Sequence, residues 1–447
     1  MLDLEQNIQQ KIRGFVAQNW QKDTQNLILQ LPAHLRMYAQ SIGEQVQGKK
    51  KAQYKLPKWF SDENIVYPPT LNMEQCSSEK TAKFKAEMVF EEVFGQYITT
   101  PNPSLGRRGT LADLTGGFGV DVAFFAEKFE KVLYFEQNKA LFDIANHNFK
   151  TFNINNIQSI SENSVDFFTN NQPENQQNNQ QNNNLNIDFF DCIYLDPARR
   201  NEKAQKIAQL SDCEPNILAI KNELFEKTNF ILLKTSPMLD ISKAVLELKN
   251  VVKIWVVAVE NECKEVLYLL KKEENNIQWG MPHCQKLPVI AVNFLKNDEI
   301  QLFESDFFAE KQVEKQTKNS SLTYSKPLKY LYEPNAPIMK IGCFEQIARH
   351  FSIEKIAPNS HLYTSEILKI DFLGRIFEIT NVCKLDKKEI SKLIPSKKAN
   401  ISVRNSPLSV EKIKEKLGFK DGGDVFMFVT TQENMEIVVI ICKKIIS

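Results

Sequence analysis

The chain has 447 residues, 42% of them hydrophobic and 25% charged, with 56 Lys and Arg against 55 Asp and Glu. At ~150 residues per domain, that length predicts about three globular domains able to bury real cores. The near-neutral balance excludes a histone-like or supercharged binder, while leaving room for a local patch that meets nucleic acid. The eight cysteines are scattered, with no CxxC pair and no Cys/His cluster. That argues against a metal site and against a disulfide framework, and so for a reducing, cytoplasmic setting. Met1 to Gln10 has neither the basic nor the apolar part of a signal peptide. No apolar run approaches the ~18 residues of a membrane span.

In chain order, residues 1–60 read as helical, with Ile8, Ile12, Phe15 and Val16, then Leu27, Leu31, Leu35 and Tyr38, near helical spacing. Lys49, Lys50, Lys51, Tyr54, Lys55, Lys58, Trp59 and Phe60 follow. They read either as a solvated loop or as a phosphate-contacting, base-stacking surface. Ser77, Ser78 and Thr81 provide capping chemistry for the next helix. Ser78, Thr81 and Lys85 are also candidate cofactor or phosphate contacts, and Lys85 is assigned to RNA.

From 61 to 300, strand, turn and helix alternate: 110–114, 120–129, 131–135, 140–149, 189–195, 230–233, 251–259 and 289–294. Near-continuous apolar strands between helices predict a doubly wound α/β sheet covered on both faces. Within it, 14 of the 17 residues from Asn170 to Asn186 are Asn or Gln. The stretch 170–187 is expected to be a disordered surface loop. Residues 301–371 form a small α+β region, and 372–447 read strand, helix, strand, helix, strand. Lys384–Asp421 holds 11 Lys and Arg against 5 Asp and Glu, which reads either as a solvated helix pair or as a nucleic-acid face.

The strongest motif is LADLTGGFGVD, 111–121. A strand ends at Asp113, passes Thr115 and turns through Gly116, Gly117 and Gly119, where missing side chains let a ligand approach the backbone. A dinucleotide fold needs a third glycine where Val122 stands. The acid at the strand end, in D-x-x-x-G-x-G, is instead the arrangement of class I S-adenosylmethionine methyltransferases, whose carboxylate holds the cofactor ammonium. Glu136, at the tip of the next strand, suits two ribose hydroxyls, a feature that NAD shares. Asn163, beside Glu162, occupies the adenine position after the third strand. DCIYLDPARR, 191–200, ends the fourth strand in Asp196-Pro197-Ala198-Arg199. Amino-group methyltransferases place (D/N/S)-P-P-aromatic there, to accept hydrogen bonds from a target amine and aim its lone pair. Ala198 and Arg199 depart from that pattern. Cys192 is expected inside a core, and Ser236-Pro237 after the fifth strand offers no cysteine nucleophile. Lys234 reads as a strand-end lysine or an RNA contact.

QCSSEKTAKFKA, DLTGGFGVD, YLDPARR, KTSPMLD, YLYEPNAPIMKIG, SHLYTS and NSPLSVEKIKEKLGFKDGGDVFMF occur in this order. From about residue 50 onward the chain resembles the bacterial class I methyltransferases that carry a ferredoxin-like insert and a C-terminal THUMP-like domain. It is similar in its upstream segment to trimethylguanosine synthase-type RNA methyltransferases. The resemblance implies a Rossmann-like seven-stranded class I methyltransferase domain, an N-terminal helical region and small α+β C-terminal domains. It implies S-adenosylmethionine as cofactor and tRNA or rRNA as partner and substrate. Carried over, Asp113, Thr115, Gly117, Gly119, Glu136, Asn163 and Asp196 bind cofactor, while Asp196, Pro197 and Arg199 serve catalysis. Lys387, Lys388, Lys392, Lys397, Lys398 and Arg404 contact RNA phosphates. Two other readings stay open: an RNA-binding protein that keeps the fold without transfer, and a methyltransferase acting on a protein or small molecule.

Overall fold

The structure is a computed structural model that describes residues 2–95, 108–170, 189–199, 209–272, 286–309, 324–432 and 436–446. Of the expected Asn/Gln loop at 170–187, residues 171–187 lie outside the described residues. The chain divides into two compact units, Met1–Val252 with Leu267–Trp279, and Lys253–Val266 with Gly280–Ser447.

The first unit opens with helices α1 (Leu2–Asn19), α2 (Thr24–Leu29), α3 (Ala39–Lys55), α4 (Pro57–Ser61), α5 (Thr70–Gln75) and α6 (Glu79–Phe94). Ile12, Val16, Leu27, Leu31, Leu35, Ile42 and Val46 form its buried core, as their spacing suggests. They do so from several short pieces. Pro32 has no N–H to continue α2 and restricts Leu31, so the chain restarts as a 3-10 turn at Ala33–Tyr38. The basic, aromatic stretch after it lies in α3 and α4 and not in a loop, and of its rings Tyr54 is exposed. Trp59 is 1% exposed. Lys49 donates to the Phe60 carbonyl at 3.3 Å, and Lys55 to those of Met73 and Glu74 at 2.9 and 2.7 Å. Lys51 pairs with Glu74, and Lys58 with Glu127. Long basic side chains here lay their stems on the apolar surface and close helix to helix.

The chain continues through β1 (Thr110–Asp113), α7 (Val120–Lys128), β2 (Lys131–Phe135), α8 (Lys139–Thr151), β3 (Ile157–Ile160), α9 (Ser164–Asn170), β4 (Cys192–Leu195), β5 (Ala198–Arg199), β6 (Cys213–Glu214), α10 (Ile217–Phe225), β7 (Phe230–Thr235), α11 (Ile241–Leu248), β8 (Val251–Val259) and β9 (Glu262–Lys271). The division between units runs through β8 and β9. The strand order is β3-β2-β1-β4-β7-β9-β8, and neighbours from β3 to β7 are parallel. This is the seven-stranded Rossmann-like class I methyltransferase fold. Ile193, Leu195, Leu232 and Leu233 are all fully buried. At ~1.5–3 kcal/mol each, their burial contributes roughly 6–12 kcal/mol at most. Core packing therefore holds β4 and β7 in place without relying on the polar groups at their tips. From β1 the chain crosses to β2 on one side and to β4 on the other. That switch point, at the carboxyl ends of the strands, is where ligands bind in open α/β sheets.

In the second unit, β10 (Pro288–Phe294) runs parallel to β8 and antiparallel to β11 (Ile300–Asp306). A further sheet follows, built from β12 (Tyr330–Pro334), α12 (Ala336–Ile341), α13 (Phe344–Phe351), β13 (Glu354–Lys355), β14 (Tyr363–Ser365), β15 (Gly374–Lys384), α14 (Lys387–Leu393), β16 (Asn400–Arg404), α15 (Val410–Leu417), β17 (Val425–Thr431) and β18 (Ile437–Ile446). Its order is β13-β14-β12-β15-β18-β17-β16. Ile390, Ile413 and Leu417, all fully buried, pack with Met427 and Val439 to fix α14 and α15 on the sheet. No helix among the described residues is long and apolar enough to cross a membrane.

Candidate active site

The turn after β1 is built around glycine. Gly119 caps α7 at φ +80°, and Gly117 has φ +52°. Both lie in the left-handed region that side chains disfavour. A Cβ on Gly116 would stand 2.1 Å from the Tyr134 ring, and one on Gly119 would stand 2.5 Å from Phe149 Cζ. A Cβ on Gly117 would meet only the Thr115 carbonyl, at 3.8 Å. Gly116 and Gly119 thus give way to the core, and Gly117 leaves an open face.

Asp113 is 1% exposed. Its Oδ1 accepts from the Thr115 N–H at 2.9 Å and from Thr115 Oγ1 at 3.3 Å. Burial pushes its carboxyl well above the usual range; the charges of Asp121 and Asp196 add to this, and the Thr115 hydrogen bonds oppose it. Thr115 Oγ1 also accepts the Asp196 N–H at 2.6 Å. One hydroxyl therefore ties the β1 turn to the tip of β4. Glu136 accepts from Gly117 N–H at 2.9 Å and Asn138 N–H at 2.6 Å, one bond to each oxygen. Burial raises its carboxyl, and these two N–H groups pull the other way.

Asp196 ends β4 half-buried, and its Oδ2 lies 2.5 Å from the ammonium of Lys234, at the end of β7. Pro197 follows, half-buried. Arg199 pairs through its backbone with Cys213, while its side chain lies outside what is described. Asn163 Oδ1 caps the turn into α9, accepting from Val165 N–H at 2.9 Å, and its amide reaches Gln137 Oε1 at 3.4 Å. Asp113, Thr115, Gly117, Glu136 and Asp196 are thus gathered at the carboxyl ends of β1, β2 and β4. Cys192 is fully buried, and burial pushes its thiol up.

Two expectations, those for Lys85 and Arg404, need correction. Lys85 cannot touch RNA: it is fully buried, donating to Ser77 Oγ at 3.0 Å and standing 3.3 Å from Asp121 Oδ1. Of the two readings of Lys234 the structure has the strand-end lysine: it is buried and paired with Asp196. In the second unit Arg404 is bound to Glu333 Oε1 at 2.5 Å, beside Arg375 on the other oxygen, so this guanidinium is spent on a buried carboxylate. Lys387, Lys388 and Lys392 on α14, and Lys397 and Lys398 before β16, are exposed, and no ion pair among the described residues takes them up. Ser78 caps α6, accepting from Thr81 N–H at 3.2 Å.

Sequence reasoning missed Ser77, Asp121 and Tyr194. Ser77 and Tyr194 both donate to Asp121 Oδ2, at 2.8 and 2.9 Å. Burial works to raise the Asp121 carboxyl, but Lys85, Lys234, Ser77 and Tyr194 together bring it below its ordinary value. The signal was an acid inside the otherwise apolar first turn of α7.

A ferredoxin-like domain family matches residues 330–372, and a THUMP-like domain family matches 374–444. No curated protein is recognisably similar to the chain. Among solved structures, a proposed methyltransferase from Porphyromonas gingivalis W83 is 25% identical at TM-score 0.77, covering 98% of both chains. An rRNA methylase from Streptococcus thermophilus is 16% identical at TM-score 0.29, covering 43% of this chain and 96% of its own. A proposed RNA methyltransferase from Pyrococcus horikoshii is 13% identical at TM-score 0.33, covering 51% and 98%. The fold assignment rests on the first of these and on the strand order. The chain is a class I methyltransferase-fold protein that carries a ferredoxin-like and a THUMP-like domain.

Proposed function

We propose that this protein is an S-adenosylmethionine-dependent methyltransferase that modifies a nucleobase nitrogen of tRNA or rRNA. One observation carries the reading. The Thr115 hydroxyl bonds both Asp113, in the cofactor turn, and the Asp196 amide, in the transfer motif. The two functions are thereby held at one switch point.

The residues fit the cofactor. Asp113 is a buried carboxylate with no ion-pair partner among the described residues, as a site for a ligand ammonium requires. Glu136 uses one bond per oxygen, which leaves capacity for two hydroxyls. Gly117 leaves its side open. When bound, S-adenosylmethionine supplies a methyl group on a positively charged sulfur. Asp113 then holds the ammonium, Glu136 the ribose, and Asn163 the adenine edge. Asp196 and the Pro197 carbonyl accept hydrogen bonds from the target nitrogen and orient its lone pair, with Arg199 assigned to the same step. The parts divide as a helical region at 1–60, a catalytic domain at 61–300, a ferredoxin-like region at 301–371 and an RNA-binding module at 372–447.

Two results are expected. The first concerns pH. An ammonium pairs only with ionised Asp113, whose carboxyl sits well above the usual range in the free protein. Cofactor affinity therefore rises as pH climbs through that raised value, and ligand-free stability falls over the same interval, since folding favours the protonated form. Calorimetric titration across pH checks this; an affinity independent of pH in the wild type, or the same pH dependence in Asp113→Asn, contradicts it.

The second concerns salt. Replacing Lys387, Lys388, Lys392, Lys397 and Lys398 together by Ala should weaken RNA binding across sequences. The slope of log K against log salt should become about 4 units shallower, at roughly 0.7–0.9 per phosphate contact. An unchanged slope removes this face from the interface. Wild-type binding with no salt dependence would favour a protein or small-molecule substrate.

A further inference from the structure

Lys234 has no place in the transfer motif as the sequence presents it, yet it touches that motif directly. Its ammonium lies 2.5 Å from Asp196 Oδ2 and 3.4 Å from Ser77 Oγ. Ser77 donates to Asp121, and Lys85 sits against both. Asp196, Lys234, Ser77, Asp121 and Lys85 form a continuous polar chain from the tip of β4 into the protein. A strand-end lysine with no task lifts its head into water. Lys234 instead is 8% exposed, with its head turned onto Asp196. Burying lysines and carboxylates together is rarely the most stable choice, because apolar residues of equal volume often do as well or better. Packing alone does not account for the chain, and its one half-exposed end is Asp196.

We propose that Lys234 is a positioning residue for methyl transfer, fixing the Asp196 carboxylate as a charged acceptor for the substrate nitrogen while Ser77, Asp121 and Lys85 hold Lys234 in place. This inference rests on the function proposed above. In the reaction the nitrogen lone pair forms the N–C bond as the C–S bond breaks toward sulfur. The nitrogen then carries one proton too many, which passes to water. Asp196, tied to Lys234, accepts a hydrogen bond throughout and keeps its charge, so it orients and does not take up the proton.

Two measurements test this, and the first contains neither RNA nor cofactor. Unfolding midpoints at pH 7 are compared for wild type, Lys234→Met, Asp196→Asn and the double variant. Lys234→Met should lower the midpoint by about 5 °C, because it strands a carboxylate, and adding Asp196→Asn should recover at least half of that loss. Simple addition of the two losses overturns the pairing. The second measurement follows transfer of labelled methyl groups to RNA from a strain lacking the gene. Lys234→Met should cut kcat at least tenfold, with KM for RNA and Kd for S-adenosylmethionine within about threefold of wild type. Lys234→Arg should restore most of the rate. Equal losses in both variants, accompanied by weakened cofactor binding, would show a structural role and overturn the proposal. Absence of transfer by the wild type would instead overturn the proposed function, and the first measurement would still decide the pairing.

Discussion

Asp196→Ala abolishes transfer, by roughly a thousandfold or more, while S-adenosylmethionine binds within about threefold of its wild-type affinity. The asymmetry follows from where the groups sit. The other cofactor residues end or follow β1, β2 and β3, and Asp196 is tied to Thr115 through its backbone N–H, at 2.6 Å from Oγ1. That bond survives loss of the carboxylate. The carboxylate's own work is to accept a hydrogen bond from the substrate and set the direction of its lone pair. Loss of one preorganised polar group at a reacting centre typically costs ~10²–10³ in rate, and misorientation adds to that. Asp196→Ala also leaves the Lys234 ammonium, with its side chain 10% exposed, facing no carboxylate at 196. Asp196→Asn, which keeps the shape, is therefore the companion variant. Single-turnover transfer and calorimetric binding make the comparison; unchanged turnover in Asp196→Ala would remove this residue from the mechanism.

The second large effect separates two neighbouring glycines. Gly119→Ala should destabilise the protein by about 3 kcal/mol, from a left-handed backbone costing ~1–2 kcal/mol and overpacking costing ~1–3 kcal/mol. Its Cβ would stand 2.5 and 2.9 Å from the Phe149 ring and 3.3 Å from Ala145 Cβ, all within the core. Gly117→Ala carries a similar backbone penalty, but its Cβ meets nothing closer than 3.8 Å. It should cost only about 1 kcal/mol of stability and lower cofactor affinity at least tenfold, because its Cβ occupies the open face. Thermal unfolding and calorimetric titration of both variants measure the contrast. A stable Gly119→Ala, or a Gly117→Ala that binds as wild type does, would contradict this view of the turn.

These effects show what a sequence displays and what it conceals. β2 and β8 were legible to the residue, and β1 and β7 nearly so, because both faces are covered and the strands read as unbroken apolar runs. β9 was not: an apolar run such as Val266 to Leu270 fits a buried helix as well as a strand. The last of the three strands expected over 372–447 is two, β17 and β18, paired antiparallel. At the site, Asp113, Glu136 and Asp196 stood out because each ends a strand in an acid. The network behind them did not, because Ser77 and Lys234 are 157 residues apart and each had a bland local explanation, as helix-capping chemistry or a strand-end lysine. Lys85 and Arg404 were misjudged for a related reason. Basic residues in a basic neighbourhood suggest phosphate, and only the fold reveals that Asp121 and Glu333 already hold them.

The central claim is transfer of a methyl group to RNA. Nucleoside mass spectrometry on tRNA and rRNA, comparing a strain lacking this gene with its parent, tests it most directly. Loss of one methylated nucleoside, carrying its methyl group on a base nitrogen, is expected, with its return on supplying the wild-type gene but not Asp196→Ala. Identical nucleosides in every RNA fraction of the two strains would contradict it.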